Sequence, residues 1–379
     1  MHRQTGDRGE GLDASNQRYP RVHRVAPVMQ FISRLPDELL SSWLVRVAMK
    51  QGCDPLALTS CFWPQRRVWA TDLDRGAIGR PHDCAGLSES DFSELTLASI
   101  ASKVAYDTGP GEAVWPWILA AGCRNRRRHG GLQFCPECLA ADTWPYYRRC
   151  WRLAWHTSCL KHGCMLMDRC GVCGRTPEPH RLTLANPNLA LCATCGADFR
   201  TQISPLYDLQ AARFQLCADQ AVEHGEARYG DTVVLTAEWF RLARFLVALL
   251  RAAGRAGHQC FSQMFERVGM GQASTWSPVT GLPLELLPTY ERMALLAPAY
   301  QVLNVELDAL VDAALSSGIT RNALLSVGGH APPCLNVLVS ALPQGTSICS
   351  RKPSEKQCRP RSRVAVERMV ARLKRKARW

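Results

Sequence analysis

Four pairs of metal-binding side chains lie between residues 135 and 195, and they restrict this chain more than anything else in it. They are Cys135-Pro-Glu-Cys138, Cys159-Leu-Lys-His162, Cys170-Gly-Val-Cys173 and Cys192-Ala-Thr-Cys195. Two residues between donors let a tight turn aim both at one point, and eight donors are what two tetrahedral zinc ions need. The spacing therefore predicts two structural Zn2+ sites. Twenty residues separate Cys138 from Cys159 and eighteen separate Cys173 from Cys192. Sequential pairing then gives two loops of ordinary zinc-finger size, one site with three cysteines and a histidine and one with four cysteines. Interleaved, cross-braced pairing satisfies the same spacing, although glycine after His162, Cys173 and Cys195 suits independent knuckles. Cys150, His156, Cys164 and His180 have no unclaimed partner at two-residue spacing and read as packing or surface residues.

The metal sites need not carry the whole fold, because 379 residues are enough for two or three domains with cores of their own. Eighteen cysteines would fit a disulfide scaffold in a secreted chain, but the first thirty residues are arginine-rich and lack an apolar core segment. A reducing bacterial cytoplasm is the expected location. The longest strongly apolar run, Phe245 to Leu250, is far too short to cross a bilayer, so no membrane association is expected. The net charge of +13 is concentrated at one end: from Arg351 to Trp379, twelve Lys and Arg stand against Glu355 and Glu367. A basic tail on a nearly balanced body suits the phosphate backbone of nucleic acid, the plain alternative being a solvated end.

The expected architecture is mostly α with small β knuckles: a helical N-terminal domain, a tandem zinc-finger module and a helical C-terminal domain. Residues 1–28 read as a disordered segment, with Met29 as a second candidate start, 29–130 as the N-terminal helical domain, 131–200 as the zinc module, 201–343 as the C-terminal domain, and 344–379 as linker and basic tail. Leu35-Pro36-Asp37-Glu38 reads as the first turn of a helix whose apolar face is Leu39, Leu40, Trp43, Leu44, Val47 and Ala48. Gly52 ends it and Pro55 opens a second helix through Leu58. Further helices are expected over Ser90–Tyr106, Thr236–Ala253, Tyr290–Ala297, Leu303–Leu315 and Val364–Ala377. The spacing Ala48, Gly52, Leu58 outlines a helix-turn-helix, and Ala314, Gly318, Leu324 repeats it, although any helical hairpin shares that outline. Three groups are candidate nucleic-acid contacts: Arg126, Arg127 and Arg128 before the first ligand pair; Thr320, Arg321 and Asn322 opening the second unit; and Lys374, Arg375 and Lys376 in the tail. Arg148 and Arg152 are placed to reach a phosphate or an acidic partner, pairing with nearby acids such as Asp142 being commoner, and Trp151 and Trp155 to pack a helix on the first site.

Several of these stretches carry a resemblance. Leu35-Pro-Asp-Glu-Leu-Leu-Ser-Ser-Trp-Leu-Val-Arg-Val-Ala48 resembles the opening of the TniQ family, transposon-encoded target-selection proteins related to TnsD. Phe134-Cys-Pro-Glu-Cys-Leu139, Pro145-Tyr-Tyr-Arg-Arg149, Trp151-Arg-Leu153, Cys159-Leu-Lys-His-Gly163 and Asp168-Arg-Cys-Gly-Val-Cys-Gly174 are similar to the family pattern in the same order. The short length resembles the TniQ of mercury-resistance and integron-associated transposons. The resemblance implies a role in transposition: recognising target DNA or a target-bound complex and recruiting the transposon's AAA+ ATPase regulator and, through it, the DDE transposase. Relatives in CRISPR-associated transposons act as head-to-tail dimers, which leaves a homodimer open here.

The ligand sets argue against catalysis. A catalytic zinc keeps an open position, whereas each expected site has four protein donors. No phosphate-binding glycine loop ending in Lys-Ser/Thr, zincin helix or nucleophile elbow is present. A non-enzymatic DNA-targeting adaptor is the leading expectation. A zinc-dependent DNA-binding transcriptional regulator is the alternative, and a metal-dependent nuclease with scattered acidic ligands stands behind it.

Overall fold

The computed structural model describes residues 32–64, 66–76, 79–80, 87–105, 114–121, 131–255, 257–271 and 281–345. The expectations placed on residues 1–28, on Arg126, Arg127 and Arg128, and on the basic tail with Lys374, Arg375 and Lys376 lie outside these residues.

The described chain is mostly helical, with two small two-stranded sheets. At the N-terminal end α1 (Leu40–Lys50) and α2 (Pro55–Phe62) form a hairpin, joined through Gly52 at φ +68, a backbone conformation that glycine adopts without strain. Leu40, Trp43, Leu44, Val47 and Ala48 of α1 meet Leu58, Trp63, Phe92 and Leu95 in a small separate core. The first helix starts later than the sequence suggests. Pro36 and Asp37 form a turn with Asp37 at φ +56, Glu38 pairs with Arg148, and Leu39 is the N-cap. The two acids are thus anchors ahead of the helix and not its first turn. The single helix expected over Ser90–Tyr106 is instead two, α3 (Glu89–Leu95) and α4 (Ala98–Val104), separated where Leu97 N–H donates to Asp74.

The middle of the chain holds α5 (Pro136–Ala141) and a two-stranded sheet of β1 (Ser158–Cys159) and β2 (Cys164–Met165). Around Trp151 there is only a short 3-10 turn, Cys150–Arg152, in place of the helix expected there. The C-terminal part contains α6 (Leu209–His224), a hairpin of β3 (Glu226–Tyr229) and β4 (Thr232–Leu235), α7 (Thr236–Ala253), α8 (Gln259–Arg267), α9 (Thr289–Leu303), α10 (Leu307–Ser316), α11 (Arg321–Gly328) and α12 (Asn336–Ala341). α7 occupies the span its periodicity predicts and is buried on most of its surface. α9 runs past Pro298 although an interior proline costs roughly 3 kcal/mol; burial of Leu295, Leu296, Ala299 and Val302 offsets that loss. Among the described residues, no single helix is long and apolar enough to cross a membrane.

The larger core is continuous from Leu39 through the metal region to Leu342. Its centre is aromatic: Trp117 packs against Trp155, Phe214 and Phe240, with ring centroids 6.4, 6.2 and 5.3 Å away. Trp117 comes from the N-terminal part, Trp155 from the metal region, and Phe214 and Phe240 from α6 and α7. Three stretches that are far apart in sequence thus share one packed centre, which fixes their relative placement.

Candidate metal centres and their supports

The eight donors form two clusters, Cys135, Cys138, Cys159 and His162, and Cys170, Cys173, Cys192 and Cys195, with the ligand atoms of each within 4.8 Å of one another. The pairing is sequential, and the interleaved alternative is not adopted. In the first cluster His162 Nδ1 lies 3.3, 3.3 and 3.4 Å from the sulfurs of Cys135, Cys138 and Cys159, and the Cys138 and Cys159 sulfurs are 3.6 Å apart. In the second, Cys170 and Cys195, and Cys173 and Cys192, are each 3.7 Å apart. Metal–sulfur bonds of about 2.3 Å in a tetrahedron place sulfurs ~3.8 Å from one another. Both donor sets therefore fit one tetrahedral ion each, and each can hold a metal without further movement.

Local backbone chemistry places these groups. Cys135 caps α5, with Pro136 in the first turn, and its sulfur accepts the Cys138 N–H at 3.4 Å. The other three pairs are tight knuckles built alike: the N–H groups of Gly163, Gly174 and Gly196 donate to the carbonyls of Cys159, Cys170 and Cys192 at 2.8–2.9 Å, and all three glycines have positive φ. In the crowded first cluster, hydrogen bonds from Cys138 and Cys159 hold the Cys135 thiol far below its usual range. In the second, burial works against ionisation of Cys170, but the backbone N–H groups of Cys173 and Val172 outweigh it and bring its pKa down to about 7. In each cluster a neighbouring thiol moves the other way: hydrogen bonding with Cys135 pushes Cys138 up, and burial pushes Cys192 up to about 12, so ionisation of every ligand is left to a bound cation.

An eighth sulfur, which the two-residue spacing rule passes over, lies beside the first cluster. Cys164 on β2 faces Cys159 across the sheet, is buried, and has its sulfur 3.6 Å from that of Cys135. The signal in the sequence is strand pairing across a short turn, not a knuckle motif.

The first cluster is braced from both sides by buried polar side chains. On the N-terminal side Arg152, fully buried, donates to Asp74, Asp72 and the Leu119 carbonyl, each at 2.7 Å. Burial raises the Asp74 carboxyl to about 6, against the opposing pull of Arg152. Arg148 bonds Asp142 at 2.7 Å with its guanidinium over Tyr146 and Trp151, and Arg149 bonds Asp37. The arginines considered for phosphate contact thus serve internal pairing. Glu38, also buried, accepts from Leu35 N–H, Ser42 and Arg46. Leu39 N–H donates to the Tyr147 carbonyl and Tyr147 N–H to the Ser42 hydroxyl, which stitches α1 to the metal region.

On the C-terminal side Arg292, also fully buried, donates to the carbonyls of Ala154, His156 and Leu287 and to Gln133 Oε1; burial lowers it to about 10. Gln133 Nε2 in turn donates to the Trp151 and His156 carbonyls. Gln215 of α6 clamps β1, accepting from Thr157 and Ser158 N–H and donating to the Ser158 carbonyl, all at 3.2 Å. Trp155 Nε1 and His156 Nε2 both meet Asp219.

The candidate nucleic-acid residues that fall in the described chain sit at the start of α11. Gly318, at φ +69, makes the turn from α10, and Ala314 and Leu324 are fully buried across it, as the repeated spacing requires. Thr320 is buried, and its hydroxyl accepts the Ala323 N–H as the helix cap, so it faces inward. Arg321 and Asn322 are exposed. The N-terminal hairpin has the same outline, but α2 carries no charged side chain.

No curated protein matches the chain. Residues 29–166 match a family model described as TniQ, a span that takes in α1, the first ligand cluster and the Arg152 brace. The likeness to TniQ thus covers 138 of the chain's 379 residues.

Proposed function

We propose that this protein is a non-enzymatic adaptor that selects target DNA for a transposon, with two structural zinc ions holding its middle section rigid. Saturation carries the reading: each cluster offers four protein donors, leaving no open position for substrate, and the first lies inside the matched TniQ span. Bound zinc would supply cross-linking of loops that are distant in sequence, and cysteine-rich tetrahedral donor sets favour that ion. The arms braced on this centre would present the contacts: Arg321 and Asn322 of α11 to DNA, and other surfaces to the AAA+ ATPase regulator and, through it, the DDE transposase. The exposed pair suits phosphate and base edges, with arginine and asparagine among the commonest readers of both.

The deciding experiment maps insertions in cells with the protein, without it, and with Cys138→Ser. Loss or redistribution of insertions is expected in the second and third. Unchanged frequency and distribution in all three would overturn the reading. Two zinc ions per chain by elemental analysis is the accompanying expectation.

A further inference from the structure

We propose that a notch between α7, α8 and α11 binds a single phosphate group. The notch has a volume of about 260 Å³ and is lined by Ala248, Arg251, Arg255, His258, Ser326 and Val327. Arg251 in the last turn of α7, Arg255 just past the end of that helix and a histidine at the start of α8 surround it, and among the described residues no acidic side chain lines it. Two like charges lining one small notch repel each other. Burial and the neighbouring Arg255 both lower Arg251 below its usual range, while Glu285 and Glu291 act the other way from outside the notch. Of those acids, Glu285 accepts from Arg244 and the Trp117 N–H. An anion between the two guanidiniums relieves the repulsion.

Three further features point to phosphate. His258 Nδ1 is buried and makes no hydrogen bond among the described residues, so it is a polar atom in want of a partner at the wall of the notch. The nine-residue helix α8 begins there, adding the positive end of a helix dipole. The volume is below the ~300 Å³ at which pockets for drug-sized ligands begin, which suits a phosphate with part of its sugar better than a whole nucleotide. Guanidinium groups match phosphate oxygens in geometry as well as charge.

The notch is continuous with the exposed face of α11. Asn322 and Ser326 lie one turn apart on that helix, about 6 Å along its axis, and both are exposed. Gly328 holds the far end of α11 against α7, where a Cβ would collide with the Phe245 ring. A strand lying over Arg321 and Asn322 therefore brings a backbone phosphate to Arg251 and Arg255. The DNA source of the phosphate rests on the proposed reading of α11; the phosphate chemistry itself does not.

The test uses the full chain with a fluorescently labelled mixed-sequence duplex, measuring anisotropy across a salt series for the unaltered protein, Arg255→Gln, Arg251→Met and the control Arg213→Gln. Arg255 and Arg213 are both exposed, so neither change threatens folding. The expected result is binding about tenfold weaker for Arg255→Gln, with the slope of log affinity against log salt shallower by about 0.9, and no such change for Arg213→Gln. Arg251→Met should behave as Arg255→Gln does. If the protein binds DNA and both notch variants match the control, the notch is overturned and the adaptor reading stands. If the protein binds no DNA, thermal unfolding in inorganic phosphate decides. A midpoint raised for the unaltered protein but not for Arg255→Gln supports a site for free phosphate and removes the DNA source. A midpoint raised in neither overturns the proposal.

Discussion

The two metal centres have nearly the same ligand geometry and very different surroundings. In the first, all three cysteines are buried, α5 and the β1–β2 sheet carry the donors, and Gln215, Arg152 and Arg292 fix the adjoining backbone from both ends of the molecule. Phe134, next to Cys135, stacks on Phe199 at 4.4 Å. In the second, Cys195 is exposed, Cys173 is half-buried, Val172 is 74% exposed, and the main outside support is Gln202, which contacts Cys170 and the Gly171 N–H. The Cys159–His162 turn of the first has the same backbone as both turns of the second, so the ligand motif decides that a metal can bind. What the metal holds together is decided by the packing around it. The first centre has all three of its sulfurs in the shared core, whereas the second keeps Cys170 and Cys192 there and brings Cys173 and Cys195 toward the surface.

The sharpest break of this comparison is Cys159→Ser. Losing a structural zinc removes on the order of 10–16 kcal/mol of apparent binding energy, as much as the whole stability of an ordinary domain. Because the first centre touches core from α1 to α9, Cys159→Ser should abolish cooperative unfolding and expose the tryptophans of the aromatic centre. Near-ultraviolet circular dichroism checks it. A native spectrum with one zinc lost would show that the first centre is as dispensable as the second is expected to be.

A smaller effect is expected from the brace. Arg152→Met leaves Asp72 and Asp74 buried without their cation, and breaking one partner of a buried ion pair costs about 3–5 kcal/mol. Arg75 remains 3.3 Å from Asp72 and lessens the loss. The zinc content should stay at two, because Arg152 touches no ligand. Chemical denaturation with metal analysis of the same sample separates the two readouts; a variant that loses the first zinc would mean that the brace and the ligands form a single unit.

This division between motif and surroundings also marks how far the sequence could be read. Ligand spacing is local, so eight donors and their sequential grouping follow from turns of a few residues. α7 was equally legible, since a long apolar stripe at helical period has one interpretation. Arg152 was legible as a charged residue near Asp142, but its partners lie about eighty positions upstream and nothing in the local pattern selects them. Asp37 and Glu38 look like helix-opening acids for the same reason. Their roles depend on Arg149, the Cys150 N–H and Arg46 arriving from elsewhere, and on a positive φ at Asp37 that propensity disfavours. Cys164 escapes the spacing rule because its neighbour is reached across a strand pair. Contacts of high sequence separation position the site, and they are the ones a linear pattern does not encode.

The smallest expected effect sharpens the comparison from the other side. Cys195→Ser removes an exposed ligand from a cluster whose remaining sulfurs sit on two knuckles, and the second zinc should be lost while the first is kept. The routes inward are the Phe199 ring, which stacks on Phe134 beside the first centre, and Cys170 and Cys192, which are buried in the larger core. The binding energy of that zinc is forfeited, but the unfolding that follows should stay local to residues 170–199, so the midpoint of the rest of the molecule should fall by only a few degrees. Hydrogen exchange supplies the discriminating readout. Amides of residues 170–199 should lose protection, while those of β1, β2 and α5 keep theirs. If protection falls in α5 and across the aromatic centre as well, the stacked pair Phe134 and Phe199 transmits the loss, and the two centres act as one cooperative unit.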